Sequence, residues 1–207
     1  MKTRIIFLGI FTFALLILDS CSKESDIELI EHNQMFFQES FSDNTDGEIL
    51  NTTGWTNFSE FGTRKWVEQT FSGGGYAEFS AFGSSQLVNV GWLISPQLNM
   101  DIHDGEKMVF TTAQNFLRSR ENSLELLVST NFDGINVAAA DWINIPVVTT
   151  TPETPRFLAV SSGEVDLSKY KGKLNFAFKV RGSGTNSNLS GTYQVDNINV
   201  YYASKIK

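Results

Sequence analysis

Cysteine is almost missing from this chain of 207 residues: Cys21 is the only one, so no disulfide can close within it. Histidine is as scarce. His32 falls in a polar stretch and His103 in an Asp-Gly turn, which leaves neither a metal-ligand spacing nor a histidine beside a plausible nucleophile. Four prolines and no low-complexity tract argue against disorder beyond the ends. No amphipathic helix of convincing length and no repeat of fixed period can be traced, which argues against a bundle, a solenoid or a propeller. Positive charge is in deficit, with 16 Lys and Arg against 23 Asp and Glu. The resulting net charge of −7 argues against nucleic acid as the partner. What the chain has instead is aromatic side chains, at 13 % of residues, and a length that suits one domain with a good core.

At the N-terminus Lys2 and Arg4 precede an apolar core from Ile5 to Leu18, followed by Asp19-Ser20-Cys21. That core is short for a transmembrane span and reads as a secretory signal over residues 1–20, ending at a cysteine. It resembles a bacterial lipoprotein signal, with Leu18 three positions before the cysteine and Ser20 directly before it. Asp19 departs from the small or apolar residue usual there. The resemblance implies a lipid on Cys21 that anchors the chain in the outer membrane, and a polar tether over residues 21–34. Ser22-Lys23-Glu24-Ser25-Asp26 is similar to the short signals that bring such lipoproteins to the cell surface; the plain alternative is an ordinary tether.

From Met35 the pattern turns to period two, and the expected domain covers residues 35–207. Phe37, Glu39 and Phe41 share one face of a first strand. Short strands are expected around Trp55 to Phe58, Lys65 to Gln69, Tyr76 to Phe82, Leu87 to Ser95, Lys107 to Gln114, Leu124 to Thr130, Trp142 to Ile145, Arg156 to Ser161, Leu174 to Val180 and Tyr193 to Tyr202. Gly73-Gly74-Gly75, Asp133-Gly134, Lys171-Gly172-Lys173 and Gly182-Ser183-Gly184 supply turns between them. Roughly ten short antiparallel strands, with one helical turn near Val165 to Tyr170, predict an all-β sandwich. The run Asn89 to Pro96, stopped by proline, is its central buried strand. In the last strand, parity puts Asp196 on the same inward face as Ile198 and Val200.

The order of Tyr76-Ala77-Glu78-Phe79-Ser80, Gly91-Trp92-Leu93-Ile94-Ser95-Pro96, Val128 to Gly134, Asp141-Trp142, Val165 to Lys173, Phe176 to Val180 and Val195-Asp196-Asn197-Ile198 looks like the choice-of-anchor J domain. That family is related to the cleaved adhesin domains of surface proteases. The resemblance covers roughly residues 36 to 202. It implies a jelly-roll β-sandwich of the kind used by carbohydrate-binding and adhesive modules, including sandwiches in which acidic residues of the first and last strands meet at a structural calcium ion.

Several sites follow as expectations. Two carboxylates facing a core need compensation, so Glu39 and Asp196, with Asp43 from the loop after the first strand, are candidate Ca2+ ligands. The alternative is that they cap backbone amides or pair with Arg181 or Lys179. Trp55 and Trp66 lie beside polar loops and are candidate stacking platforms for sugar rings, whereas Trp92 and Trp142 read as core. Loops 43–64, 114–122 and 182–191 are long and polar and are the expected ligand-contacting segments. Gly73-Gly74-Gly75 lacks the Lys-Ser or Lys-Thr and the helix of a phosphate cradle. Three Asn-x-Ser/Thr triplets read as chance matches in a bacterial lipoprotein. No catalytic constellation stands out. The expected function is a surface lipoprotein acting as a non-catalytic binding or adhesion module for glycan or for another surface protein. The alternatives are a glycosidase or lyase on the same sandwich, or a structural partner of a surface protein.

Overall fold

A computed structural model describes residues 31–42 and 45–205. The lipidation expected at Cys21, the signal and most of the tether lie outside the described residues, as does Asp43.

Among the described residues thirteen strands run in chain order: β1 (Glu31–Glu39), β2 (Thr56–Phe61), β3 (Val67–Phe71), β4 (Gly74–Ser80), β5 (Asn89–Ile94), β6 (Leu98–Asn99), β7 (Lys107–Asn115), β8 (Ser123–Ser129), β9 (Ile143–Ile145), β10 (Val160–Ser161), β11 (Val165–Asp166), β12 (Lys173–Gly182) and β13 (Thr192–Lys205). They form two antiparallel sheets. The first has the order β10-β7-β13-β4-β3, with β1 also on β13 and β11 on β7; the second has β2-β5-β12-β8-β9, with β6 on β12. The molecule is a jelly-roll β-sandwich. Among the described residues no helix is long and apolar enough to cross a membrane.

Period two places the core. Along β4 and β7 burial alternates residue by residue, so Ala77, Phe79, Met108 and Phe110 point inward while their neighbours point out. From the second sheet Leu93, Leu126, Phe176, Phe178 and Val180 meet them. Gly91 is required at one point of closest approach: a Cβ there would lie 2.1 Å from the Phe79 ring.

Four expectations need correction. First, β1 starts at Glu31, so the last residues of the expected tether, His32 among them, pair with β13. Second, Arg156 to Ser161 shrinks to the two residues of β10, because Phe157 takes a positive φ of 60°. Third, Val165 to Tyr170 is a short strand followed by a turn rather than a helical turn, and three-residue 3-10 turns stand instead at Val137–Ala139 and Ser187–Leu189. Fourth, β13 changes face midway. Tyr193 and Val195 are buried in the core, and so are Ile198 and Val200. Asn197, at φ 52°, sits at an irregularity between Asp196 and Asn199 that absorbs the extra residue. Asp196 therefore shares the outer face with Gln194 rather than the inner face with Ile198.

Candidate functional site

The outer face of the first sheet carries a groove whose floor is built by strand register. Ser80 on β4, Thr192 on β13 and Asn115 on β7 form one row; Glu78, Gln194 and Ala113 form the next, extended by Val67 on β3. In a third row Asp196 pairs with Thr111 and Tyr76 with Gln69. All of these are the outward members of alternating strands. Four phenylalanines stand around them in solvent: Phe71 at 79 % exposure, Phe82 at 73 %, Phe157 at 62 % and Phe116 at 51 %. Two cavities lie along the groove. One of about 680 Å³ is bounded by Phe82 and Phe116, and one of about 580 Å³ by Phe71 and Phe157. Each is of the size that small-molecule and oligomeric ligands occupy.

Gln114, a buried residue between two floor positions of β7, holds both sides of the rim. Its backbone oxygen accepts from Phe157 N at 2.8 Å, its side-chain oxygen accepts from Leu117 N at 2.9 Å, and its Nε2 donates to Thr154 O at 2.6 Å. Phe116 and Phe157, the two rings on either side of it, both sit at positive φ, 57° and 60°, a conformation uncommon for bulky residues. The Arg156 guanidinium lies 4.0 Å above the Phe116 ring and fixes it further.

Electrostatics distinguish the groove from ordinary surface. Burial pushes the Glu78 carboxyl above the usual carboxylate range; Gln194 Nε2, donating at 3.0 Å, opposes this and the Asp46 charge adds to it. Tyr76 is raised by burial and by Glu78 and Asp46. Asp196 is also raised, by burial first, against the hydrogen bond from Asn197 N and with help from the Glu39 charge. Three groove side chains are thus shifted toward their neutral forms.

The three loops expected to contact ligand converge here: Gly47 and Arg64 come from 43–64, Phe116 and Arg118 from 114–122, Ser187 and Ser190 from 182–191. The two tryptophans expected as platforms do not. Trp66 is wholly buried and packs on Phe79, and its backbone N and O are held by the Asn57 side chain at 3.1 and 2.8 Å. Trp55 packs in the core against Phe37, Phe41 and Phe176, and its Nε1 donates to Glu39 Oε2 at 3.0 Å. The exposed aromatic rings at the groove are phenylalanines, which the sequence pattern did not single out. Their exposure beside strictly alternating polar positions was the available signal.

β1 ends at Glu39 and Phe41 follows it at φ 48°, outside the strand face on which it was expected; the Glu39 oxygens accept from Ser40 N, Phe41 N and Trp55 Nε1. Asp196 accepts from its neighbour Asn197. With Asp196 turned outward, the argument for a cation compensating two inward charges falls away. Among the described residues no group of three or more acidic, His or Cys side chains is placed to hold a metal. The backbone bonds of Glu39 and Asp196 are those of caps, the alternative expected for the pair, and Asp43 lies outside the described residues.

The second sheet's outer face is covered over β5, while Phe58 and Phe61 of β2, in register with Trp92 and Val90, stay exposed. Trp92, Phe132, Val137, Leu127 and Ala177 form a separate apolar cluster with Trp142 packed on it, under the segment 131–142. Trp92 Nε1 donates to Glu60 Oε2 at 2.7 Å, Lys179 Nζ reaches the same oxygen at 3.1 Å, and the ammonium lies 4.5 Å from the Trp92 ring centre.

Among solved structures the chain is similar to the K2 cleaved adhesin domain of Lys-gingipain (Kgp), at 15 % identity and TM-score 0.50, with 82 % of this chain and 99 % of that one covered. The K1 cleaved adhesin domain of Lys-gingipain from Porphyromonas gingivalis W83 is similar at 17 % identity and TM-score 0.49, covering 80 % and 97 %. A family 11 carbohydrate-binding module from Clostridium thermocellum follows at 14 % and 0.45, covering 84 % and 98 %. At 15 % identity the likeness to the K2 domain speaks to the fold alone. No curated protein matches the chain. Residues 95–205, more than half of the sequence and including the groove strands β7 and β13, match a domain of unknown function, and the chain therefore belongs to the DUF5017 family.

Proposed function

We propose that this chain is a surface lipoprotein, anchored through Cys21 and similar to choice-of-anchor J domains, whose sandwich is a non-catalytic module that binds glycan in the groove over its first sheet. The carrying observation is the pairing of in-register amide, hydroxyl and carboxyl groups on the floor with exposed phenyl rings on the rim. A sugar ring offers an apolar face to stack on and equatorial hydroxyls to hydrogen-bond, and such a floor and rim suit both. Rigid strands set the spacing of the polar groups, while loops set the rim. The neighbours' printed names, adhesin and carbohydrate-binding module, agree with this reading.

Retention of the full-length chain in gels carrying different polysaccharides tests it. Phe71→Ala and Phe157→Ala are each expected to weaken retention by about tenfold, the size of one aromatic contact. Unchanged retention in both would remove the groove from the binding site.

One observation favours a second, hydrolytic reading. Glu78 and Asp196 lie on neighbouring strands, two residues apart in register, which puts their Cβ atoms about 7–8 Å apart. Both carboxyls are shifted upward, as a general acid requires. Release of reducing ends during the same gel assay, abolished in Glu78→Gln, would establish it. For calcium, a melting temperature that rises with the ion in the wild type and not in Glu39→Gln, Asp196→Asn would establish the cage in place of the caps.

A further inference from the structure

We infer that the groove's ligand is an acidic glycan, bearing carboxylate or sulfate groups that are read at the end lined by Arg64, Lys65 and Arg118. This rests on the reading of the groove as a glycan site. The chain is acidic overall, yet three of its sixteen basic residues line the same cavity, and Arg156 stands beside it on Phe116. Chance scatter of cations over an acidic surface would bring carboxylates with them. None of the four takes part in the ion pairs of the described residues, which engage Lys107, Arg120, Lys171 and Lys179. Arg64 donates through Nη2 to Phe82 O, and its Nε is buried with no acceptor, so part of its guanidinium is desolvated without a partner. Lys65 and Arg118 are exposed.

The carboxylate facing them from the floor is Glu78, and it is already engaged by Gln194. Its upward shift traces to burial and to Asp46, and no cation is among its causes. The groove's own acid therefore leaves the cations uncompensated. The other end differs. Tyr76, Gln194, Asp196 and Asn197 between Phe71 and Phe157 offer neutral donors and acceptors and one acid. A polymer lying along both cavities would place an anionic group at the first and an uncharged sugar face at the second. A guanidinium suits either anion, holding a planar carboxylate or a sulfate by paired hydrogen bonds.

The test uses gels of polygalacturonate, of the same polymer after carboxyl reduction, of a sulfated galactan and of its desulfated form, with the full-length chain and with K65E/R118E, both exposed positions that leave the core untouched. Retention on one acidic polymer, weakened about tenfold by removing its charge, by the double substitution or by salt, is expected for a pair of solvent-exposed ion contacts. The polymer that retains distinguishes carboxylate from sulfate. Equal retention on charged and uncharged forms, or retention indifferent to K65E/R118E, would overturn the acidic ligand and leave the glycan site standing. Absence of retention on every polymer, neutral ones included, would overturn both.

Discussion

The two outer faces of this sandwich are presented by strands of the same two-residue period and end differently. On the second sheet the outward residues of β5 are Val90, Trp92 and Ile94, and segment 131–142 folds over them, so that β5 is buried along both faces. On the first sheet the outward residues of β4, β7 and β13 are Tyr76, Glu78, Ser80, Thr111, Ala113, Asn115, Thr192, Gln194 and Asp196, and all but the buried Gln194 keep partial exposure among the described residues. Charge follows the same division. Over β5 Lys179, Glu60 and the Trp92 indole satisfy one another; on the open face Arg64, Lys65 and Arg118 form no ion pair among the described residues, and the Glu78 carboxylate across from them is engaged by Gln194. One face ends in stability and the other in unfilled valence, which is what separates a packing surface from a binding surface.

The comparison breaks most visibly at Trp92. Trp92→Ala removes a buried indole, loosens Trp142 and leaves Glu60 with Lys179 as its remaining partner, so a loss of about 3–5 kcal/mol is expected by urea denaturation, with glycan retention per folded molecule unchanged. A variant that kept wild-type stability would mean that the cluster over β5 is not a core. Gln114 comes next. Gln114→Ala unties Leu117 N and Thr154 O and is expected to cost about 1–3 kcal/mol while also weakening retention, because the loops bearing Phe116 and Phe157 lose their shared bracket. Loss of stability with full retention would show that the rim holds itself. Phe71→Ala inverts the Trp92 result: at 79 % exposure the ring is expected to contribute within about 0.5 kcal/mol to stability, with its effect confined to binding.

How far the sequence reaches can be followed in the same residues. The alternation in Tyr76 to Ser80 and Lys107 to Gln114 announces strands with one wet face, and the continuous run Asn89 to Ile94 announces a strand buried on both faces; both features stand in the structure. The three polar loops expected to contact ligand do meet at the groove. The floor itself was beyond reach, because its rows join residues near 67–80, 111–115 and 192–196, and strand neighbours so distant in sequence are set by the fold, not by local pattern. Asp196 was placed on the wrong face because a single residue in a bulge, Asn197, inverts every parity argument made across it. Trp66 misled for a related reason: polar neighbours in sequence say nothing about a side chain that Asn57 and Phe79 enclose from elsewhere in the chain.

The smallest expected effect is the sharpest test of the contrast, and it concerns one glutamate on each face. Burial works to raise Glu60, but the Trp92 indole and the Lys179 ammonium outweigh it and hold the carboxyl below its ordinary value. Glu78, raised by burial with no cation to answer it, is shifted the other way. A lowered carboxyl contributes stability that is present above its unfolded pKa of about 4.3 and is lost as pH falls through the folded value; a raised one contributes stability present below that pKa and lost as pH rises through the folded value. Glu60→Gln is therefore expected to lower the urea midpoint at neutral pH, with the difference fading toward about pH 3. Glu78→Gln keeps an acceptor for Gln194 and removes only the penalised charge, so its midpoint is expected to lie above wild type at neutral pH and to converge on it under acid. Midpoints moving in opposite directions would tie each face to its role, since a binding surface is where a protein tolerates a charge that its own fold does not neutralise. If both substitutions lowered the midpoint alike, Glu78 would be a structural acid like Glu60, and the open face would owe its polarity to packing.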